Sequence, residues 1–135
     1  MKKLLFVFVA VIIFTGCQSK TVTGETVIVG GGSYKSISVT ELNSMLKDKD
    51  FLLVNVHIPF AGNIPGTDLS IPFDQIEQNW LQLPEDKSAK IVLYCRSGRM
   101  SQIAAEKFVL LGYTNIWDVT GGMVDWEQAE FQIEK

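Results

Sequence analysis

The feature that most constrains the fold is an unbroken apolar run, Ile91–Tyr94, that leads within a few residues into an amphipathic helical pattern. A strand that is apolar at every position is typical of burial on both faces of a parallel sheet. The helical pattern after it has its apolar positions at Met100, Ile103, Ala104, Phe108 and Leu111. A buried strand joined to a covering helix is the unit from which α/β proteins are built.

Further strands and helices alternate around this unit. Residues 51–56 and 115–119 have the pattern of short strands, and a capping-box spacing at residues 38–41 starts a helix that continues through Leu46;. A helix is also predicted at residues 74–81, with Ile76, Trp80 and Leu81 as its apolar face. A last helix follows Gly121 and Gly122 and reaches Trp126. The pattern predicts an α/β fold, a parallel sheet with helices on both faces, whose ligands bind beyond the carboxyl ends of the strands.

The first sixteen residues are predicted to be a signal peptide. Lys2 and Lys3 precede an uncharged run at residues 4–16. As a helix this run would reach roughly 20 Å, short of the ~30 Å hydrocarbon core of a membrane. The run ends at Cys17, in a pattern that resembles the lipobox of bacterial lipoproteins, whose cysteine carries lipid and becomes the first residue. An ordinary secretory signal and a single uncleaved anchor are the alternatives.

Residues 17–33 are rich in Thr, Ser and Gly and are predicted to be a flexible tether, although residues 26–29 have the pattern of a short strand;. The folded domain is then residues 34–135. The lipobox implies an exported protein, held by lipid on Cys17 to a bacterial membrane with its domain on the extracytoplasmic side.

Composition and charge limit the kinds of partner that the protein can bind. Charged residues make up 20% of the chain and hydrophobic residues 47%, which is typical of a globular domain;. The net charge is −3, and loss of Lys2 and Lys3 leaves 10 basic against 15 acidic side chains, about −5. Because no basic stripe is present, we expect no nucleic-acid partner. We also expect no metal and no cofactor.

Cys95 is the candidate nucleophile, because it ends the apolar strand and begins a loop that runs into a helix. If Cys17 carries lipid, Cys95 is the one remaining thiol of the chain. The helix N-terminus and the nearby Arg96 and Arg99 all favour a thiolate over a thiol. Gly98 permits a tight turn in which several N–H groups converge, so the loop is predicted to cradle an anion. A buried structural cysteine is the alternative, but it would need neither the arginines nor the glycine.

This loop resembles the active-site loop of single-domain rhodaneses. Residues 110–113 and 119–122 with Trp126 resemble the closing segment of that family, and residues 64–66 and 71–72 resemble its middle loop. The resemblance covers roughly residues 38–130 and implies a rhodanese-like parallel sheet. The resemblance assigns Cys95 as the catalytic residue. It assigns the following loop residues to substrate binding: Arg96, Ser97, Gly98, Arg99, Met100 and Ser101.

The resemblance implies a thiosulfate sulfurtransferase-like enzyme. Cys95 would take a sulfane sulfur from a small thiosulfate-like anion, hold it as a persulfide and pass it to cyanide or to a thiol. The sequence does not show whether the acceptor thiol belongs to a small molecule or to a protein.

One segment departs from the family pattern. Where the family has Asp-x-Arg after its second strand, this chain has Asn55-Val56-His57, and Asn63 stands where the family has a histidine. One interpretation is a neutral, hydrogen-bonded replacement of a structural ion pair. The other gives His57, the one histidine of the chain, an auxiliary role in proton transfer;.

Other functions compete with sulfur transfer. A catalytically weak exported rhodanese domain would act as a sulfur-binding or protein-binding module. A cysteine phosphatase or arsenate reductase shares the strand–loop–helix arrangement but needs an arginine six positions after its cysteine, where this chain has Ser101. A disulfide redox role lacks a second nearby cysteine. Trp80 and Trp126 are predicted to pack in the core or at its edge.

Overall fold

The computed structural model describes Gly16 and residues 21–135. The predicted lipidation site, Cys17, and residues 1–15 of the predicted signal peptide lie outside these residues. The strands are β1 (Glu25–Val29), β2 (Gly32–Ile37), β3 (Leu52–Asn55), β4 (Leu69–Ser70), β5 (Ile91–Tyr94) and β6 (Ile116–Val119). The α-helices are α1 (Val39–Met45), α2 (Arg99–Leu110) and α3 (Gly122–Gln128), and 3₁₀ helices cover Leu46–Asp48 and Glu77–Gln82.

The six strands form one sheet in the order β1-β2-β6-β5-β3-β4. All neighbouring pairs from β2 to β4 are parallel, and β1 is antiparallel to β2. The predicted α/β fold is confirmed, and the antiparallel edge strand makes the sheet mixed. No helix among the described residues is long and apolar enough to cross a membrane.

Helices cover both faces of the sheet because successive residues of the central strands point to opposite sides. On one side, Leu93 packs in a core with Phe108 of α2. On the other, Tyr94 packs in a core with Leu42 of α1 and Trp126 of α3. Burial on both faces explains why β5 is apolar at every position.

The β1–β2 hairpin differs from the predicted tether. Glu25 pairs with Ser36 and Val29 pairs with Gly32, so most of residues 25–33 lie in the two strands and residues 30–31 form the turn between them. Val27 and Val29 pack against the α2-side core. Their apolar contact with distant residues stabilises the hairpin, and local Thr, Ser and Gly content does not reveal that contact.

The predicted helix at residues 74–81 is wrong in type and in the face it buries. The segment is a 3₁₀ helix, Glu77–Gln82, with a kink at Asn79. Ile76 is buried, whereas Trp80 is 63% exposed and Leu81 is 79% exposed. A 3₁₀ helix has three residues per turn, so positions four and five beyond Ile76 rotate away from the face that Ile76 occupies. Core packing is therefore confirmed for Trp126 and wrong for Trp80.

The capping box before α1 is present. The Glu41 amide donates to Ser38 Oγ at 3.2 Å, and the Ser38 amide donates to Glu41 Oε2 at 2.8 Å. These two hydrogen bonds satisfy donors that the first turn leaves free, so this helix start follows from local sequence alone.

Candidate active site

The candidate site lies at the carboxyl edge of the sheet, in the loop between β5 and α2. Parallel strands β3, β5 and β6 end at this edge, which brings together the segments that follow Asn55, Tyr94 and Val119. Gly98 is the N-cap of α2 and has a φ of 106°, a left-handed conformation that favours glycine;. The tight turn predicted at Gly98 is therefore present.

Cys95 lies at the base of this loop and is 1% exposed. Its Sγ accepts a hydrogen bond from the Gly98 amide, with an N–Sγ distance of 3.0 Å. Within the described part of the chain, the other amides of residues 96–101 have no hydrogen-bond acceptor. Amides without an acceptor at the start of a helix carry partial positive charge, so the loop has N–H groups available to an anion.

The other predicted loop residues occupy two positions. Arg96, Ser97 and Arg99 are exposed at the rim, where their side chains can meet a ligand. Met100 is half-buried and packs against the α2-side core.

Ser101 is buried below the loop rather than at its rim. Its hydroxyl donates to the Gly98 carbonyl at 3.0 Å, and the Gln102 amide donates to the same carbonyl at 3.1 Å. The side chain of Ser101 therefore supports the loop, and a contact with substrate from this residue would come from its amide.

The start of α3 holds the opposite side of the loop. The Met123 amide donates to the Cys95 carbonyl at 3.0 Å, and the Val124 amide donates to the Arg96 carbonyl at 2.9 Å. A Cβ on Gly122 would collide with the Cys95 carbonyl oxygen. Gly122, the second glycine of the closing segment, thus permits this close approach, a role that the sequence pattern marks but does not explain.

Asn55 is neutral, buried and fully hydrogen-bonded. Its Nδ2 donates to the Gly62 carbonyl at 2.9 Å and to Asn63 Oδ1 at 3.0 Å, and its Oδ1 accepts from the His57 amide at 3.0 Å. This arrangement fits a hydrogen-bonded replacement of a structural ion pair.

The imidazole of His57 lies within the electrostatic reach of the loop. Burial, and to a lesser extent the charge of Arg96, lower the pKa of His57 below its usual range. Its Nδ1 is buried and has no hydrogen-bond partner among the described residues. The auxiliary proton-transfer role of His57 stays a prediction.

Asp118 is a buried acid beneath the loop that sequence reasoning missed. It is 1% exposed, and neither carboxyl oxygen has a hydrogen-bond partner in the described part of the chain. Burial raises the pKa of Asp118 from 3.8 to about 6, and the Ser101 hydroxyl and the Val119 amide oppose this rise in part. The only sequence signal is one acidic residue inside an otherwise apolar strand.

The fold and the loop define a class: an α/β domain with a buried cysteine in the loop that joins a central parallel strand to a helix. Among residues 21–135, no three His, Cys, Asp or Glu side chains group so as to hold a metal ion. Comparison with known proteins agrees with this class. Residues 38–129 match the model of the rhodanese-like domain, and the chain belongs to that family. Residues 1–18 match a prokaryotic membrane lipoprotein lipid attachment site.

Individual relatives belong to the same family. A sulfurtransferase of Allochromatium vinosum is 32% identical, over 72% of this chain and 92% of its own. The mouse thiosulfate sulfurtransferase/rhodanese-like domain-containing protein 3 is 28% identical, over 75% of this chain and 73% of its own. The crystal structure of a rhodanese-related protein of Thermoplasma volcanium has a TM-score of 0.63 at 29% identity, covering 74% of this chain and 97% of that one. Other relatives are longer, and the chain spans 18% to 65% of their length.

Proposed function

We propose that the protein is a rhodanese-type sulfurtransferase with Cys95 as its nucleophile. The observation that carries this proposal is the 3.0 Å hydrogen bond from the Gly98 amide to Cys95 Sγ, at the base of a loop whose other amides have no acceptor among the described residues. A donor aimed at the sulfur stabilises a thiolate, and later a persulfide. The sulfurtransferases among the relatives support the same chemistry.

The reaction proceeds in two displacements. The Cys95 thiolate attacks the outer sulfur of a thiosulfate-like donor, a new S–S bond forms, and the electron pair of the donor's S–S bond leaves with sulfite. The persulfide anion remains in the cradle, where the free amides face its charge. An acceptor, cyanide or a thiolate, then attacks the outer sulfur, and Cys95 leaves as the thiolate.

The rim of the loop binds the anionic donor. Arg96 and Arg99 are exposed on either side of Ser97 and Gly98, so their guanidinium groups can contact sulfonate oxygens while the amides face the transferred sulfur;. Ser101 and Gly122 keep the loop in shape from below and from the side.

The proposal extends to the membrane. We propose that Cys17 is lipidated, that the chain is cut just before it so that residues 1–16 are removed, and that the domain works on the extracytoplasmic side of a bacterial membrane. The attachment-site match at residues 1–18 supports this, and residues 17–24 then remain to connect the lipid to β1.

The test uses the full-length chain with Cys17→Ser, so that Cys95 is its one cysteine. After thiosulfate treatment, intact-mass analysis should show one added sulfur, and cyanide should remove it with the release of thiocyanate. The matched variant with Cys95→Ser should fold and gain no sulfur, because an alcohol forms no persulfide. If the protein gained sulfur but did not pass it to cyanide, the binding module would be favoured. That outcome is physically possible because Cys95 is only 1% exposed, so an acceptor has little access to it. No gain at all would overturn the proposal.

A further inference from the structure

Asp118 lies directly behind the sulfur-bearing loop. It is paired with Leu93 in β5 and with Ser36 in β2. Its strand neighbours Trp117 and Val119 face the α1/α3-side core, so the alternation of the strand turns Asp118 to the α2 side. Leu93 and Cys95 line that same side. The acid therefore shares a face of the sheet with the nucleophile, one strand away from it.

The surroundings leave this carboxyl without a permanent partner. Both oxygens are buried and unpaired among the described residues, a state that costs free energy when the group is charged;. The Ser101 hydroxyl is close enough to lower the pKa of Asp118, yet its own proton is donated to the Gly98 carbonyl at 3.0 Å. One hydroxyl proton cannot serve both acceptors at once.

The two protonation states of Asp118 thus make different demands on Ser101. A neutral Asp118 can donate to a lone pair of Ser101 Oγ while Ser101 keeps its bond to Gly98. An ionised Asp118 attracts the hydroxyl proton away from Gly98 and also places a negative charge behind the cradle. Since the Gly98 amide is the donor to Cys95 Sγ, both effects weaken the hold of the loop on an anion.

We propose that Asp118 is a positioning residue, which in its neutral form supports the Ser101–Gly98 contact and on ionisation loosens the cradle around an anion at Cys95. The inference rests on the proposed role of Cys95. It makes the capture of an anionic donor stronger in mildly acidic than in alkaline solution.

The groups around Asp118 are consistent with this single titration. From β2, Tyr34 faces it, and burial, then the charges of Asp118 and Glu106, raise the pKa of Tyr34 above its usual value of 10.0. From α2, Ser101 faces Asp118 directly. Glu106, also on α2, acts on the pKa of Tyr34. After β5 comes the Cys95 thiol. Below pH 9 Tyr34 is neutral. His57 near Arg96 also titrates below pH 9, but it is the same in the parent and in every Asp118 variant, so a difference between these proteins reports on Asp118.

The decisive measurement is the rate of Cys95 alkylation by iodoacetamide between pH 5 and 9, in the full-length chain with Cys17→Ser. Adding D118N, a near-isosteric neutral replacement, should shift the alkylation midpoint to lower pH. It should also lower the KM for thiosulfate at pH 8 at least about threefold, because a nearby negative charge is removed. The two proteins should have nearly the same KM at pH 5, where Asp118 of the parent is mostly neutral and the amide introduced by D118N carries no charge.

Two further variants separate this role from packing. D118S, a smaller neutral replacement, should shift the midpoint in the same direction as D118N. Y34F removes a hydroxyl from the same buried region without changing the acid and should leave the midpoint in place. Identical alkylation profiles in the parent and both Asp118 variants would overturn the inference. If thiosulfate added no sulfur to any variant, the proposed function would fail, while the alkylation midpoints would still decide the role of Asp118.

Discussion

The amide of Met123 donates to the carbonyl of Cys95 across 3.0 Å, and this bond ties the start of α3 to the residue that ends β5. The next amide, that of Val124, binds the Arg96 carbonyl in the same way at 2.9 Å. With its carbonyls held by α3, the loop keeps one orientation, in which the Gly98 amide faces the sulfur. The cradle is therefore a property of two segments, the loop and the start of α3.

Gly122→Ala should disrupt this arrangement. Its φ of 53° disfavours any other residue, and the added Cβ would collide with the Cys95 carbonyl oxygen. We expect a loss of about 2 kcal/mol or more in the free energy of unfolding. Sulfur transfer should fall at least about tenfold, as expected when a catalytic group is displaced. Urea unfolding and thiocyanate release measure the two effects.

Gly112→Ala is the matched control for this variant. Gly112 also has a positive φ, 90°, but an added Cβ would meet no atom within 4 Å. It should cost about 1 kcal/mol for the left-handed backbone alone and should leave sulfur transfer unchanged. Equal losses of activity in both variants would show that the contact of Gly122 with Cys95 is unimportant.

The charge of Arg96 should be visible in the titration of His57. Because Arg96 lowers the pKa of His57, Arg96→Ala should raise that pKa, and Arg99→Ala should leave it in place. His57 is the one histidine of the chain, so its imidazole signals in a proton NMR titration need no separate assignment. If the pKa of His57 were the same in the parent and in Arg96→Ala, the charge of Arg96 would have no effect on His57.

Stability should depend on pH through Asp118. Its pKa is 3.8 in the unfolded reference and about 6 in the fold, so the folded state holds the proton more tightly. The free energy of unfolding should therefore decrease as the pH rises from about 4 to about 6, by up to about 3 kcal/mol from this group. Asp118→Asn should remove that decrease and be the more stable protein at pH 8. Urea unfolding of both proteins across this pH range isolates the contribution of Asp118. If the free energy of unfolding had the same pH dependence in both proteins, this prediction would be contradicted.

Cys17→Ser should prevent attachment of lipid, because the acyl chain is linked through the thiol. Labelled fatty acid should enter the wild-type protein in bacterial cells and should not enter the variant. Cys95→Ser is the control and should be labelled as the wild type is. Equal labelling of all three proteins would refute the lipobox interpretation.

Several features follow from the sequence alone because their physics is local. The apolar β5 strand, the capping box at Ser38 and Glu41, and the turn at Gly98 each depend on neighbours within a few residues. These features predict the α/β fold. Together with the residues after Cys95, they predict the family that the comparisons show.

Only the tertiary structure decides what those elements meet. Thr26 to Val29 form an edge strand because the α2-side core lies within reach, and Trp80 is exposed because its segment winds as a 3₁₀ helix. Gly122 matters through its close approach to Cys95 and Asp118 through its contact with Ser101, and both partners lie in segments far earlier in the chain. Hydrophobic periodicity states which face of an element is buried, but it carries no information about which distant group lies against that face.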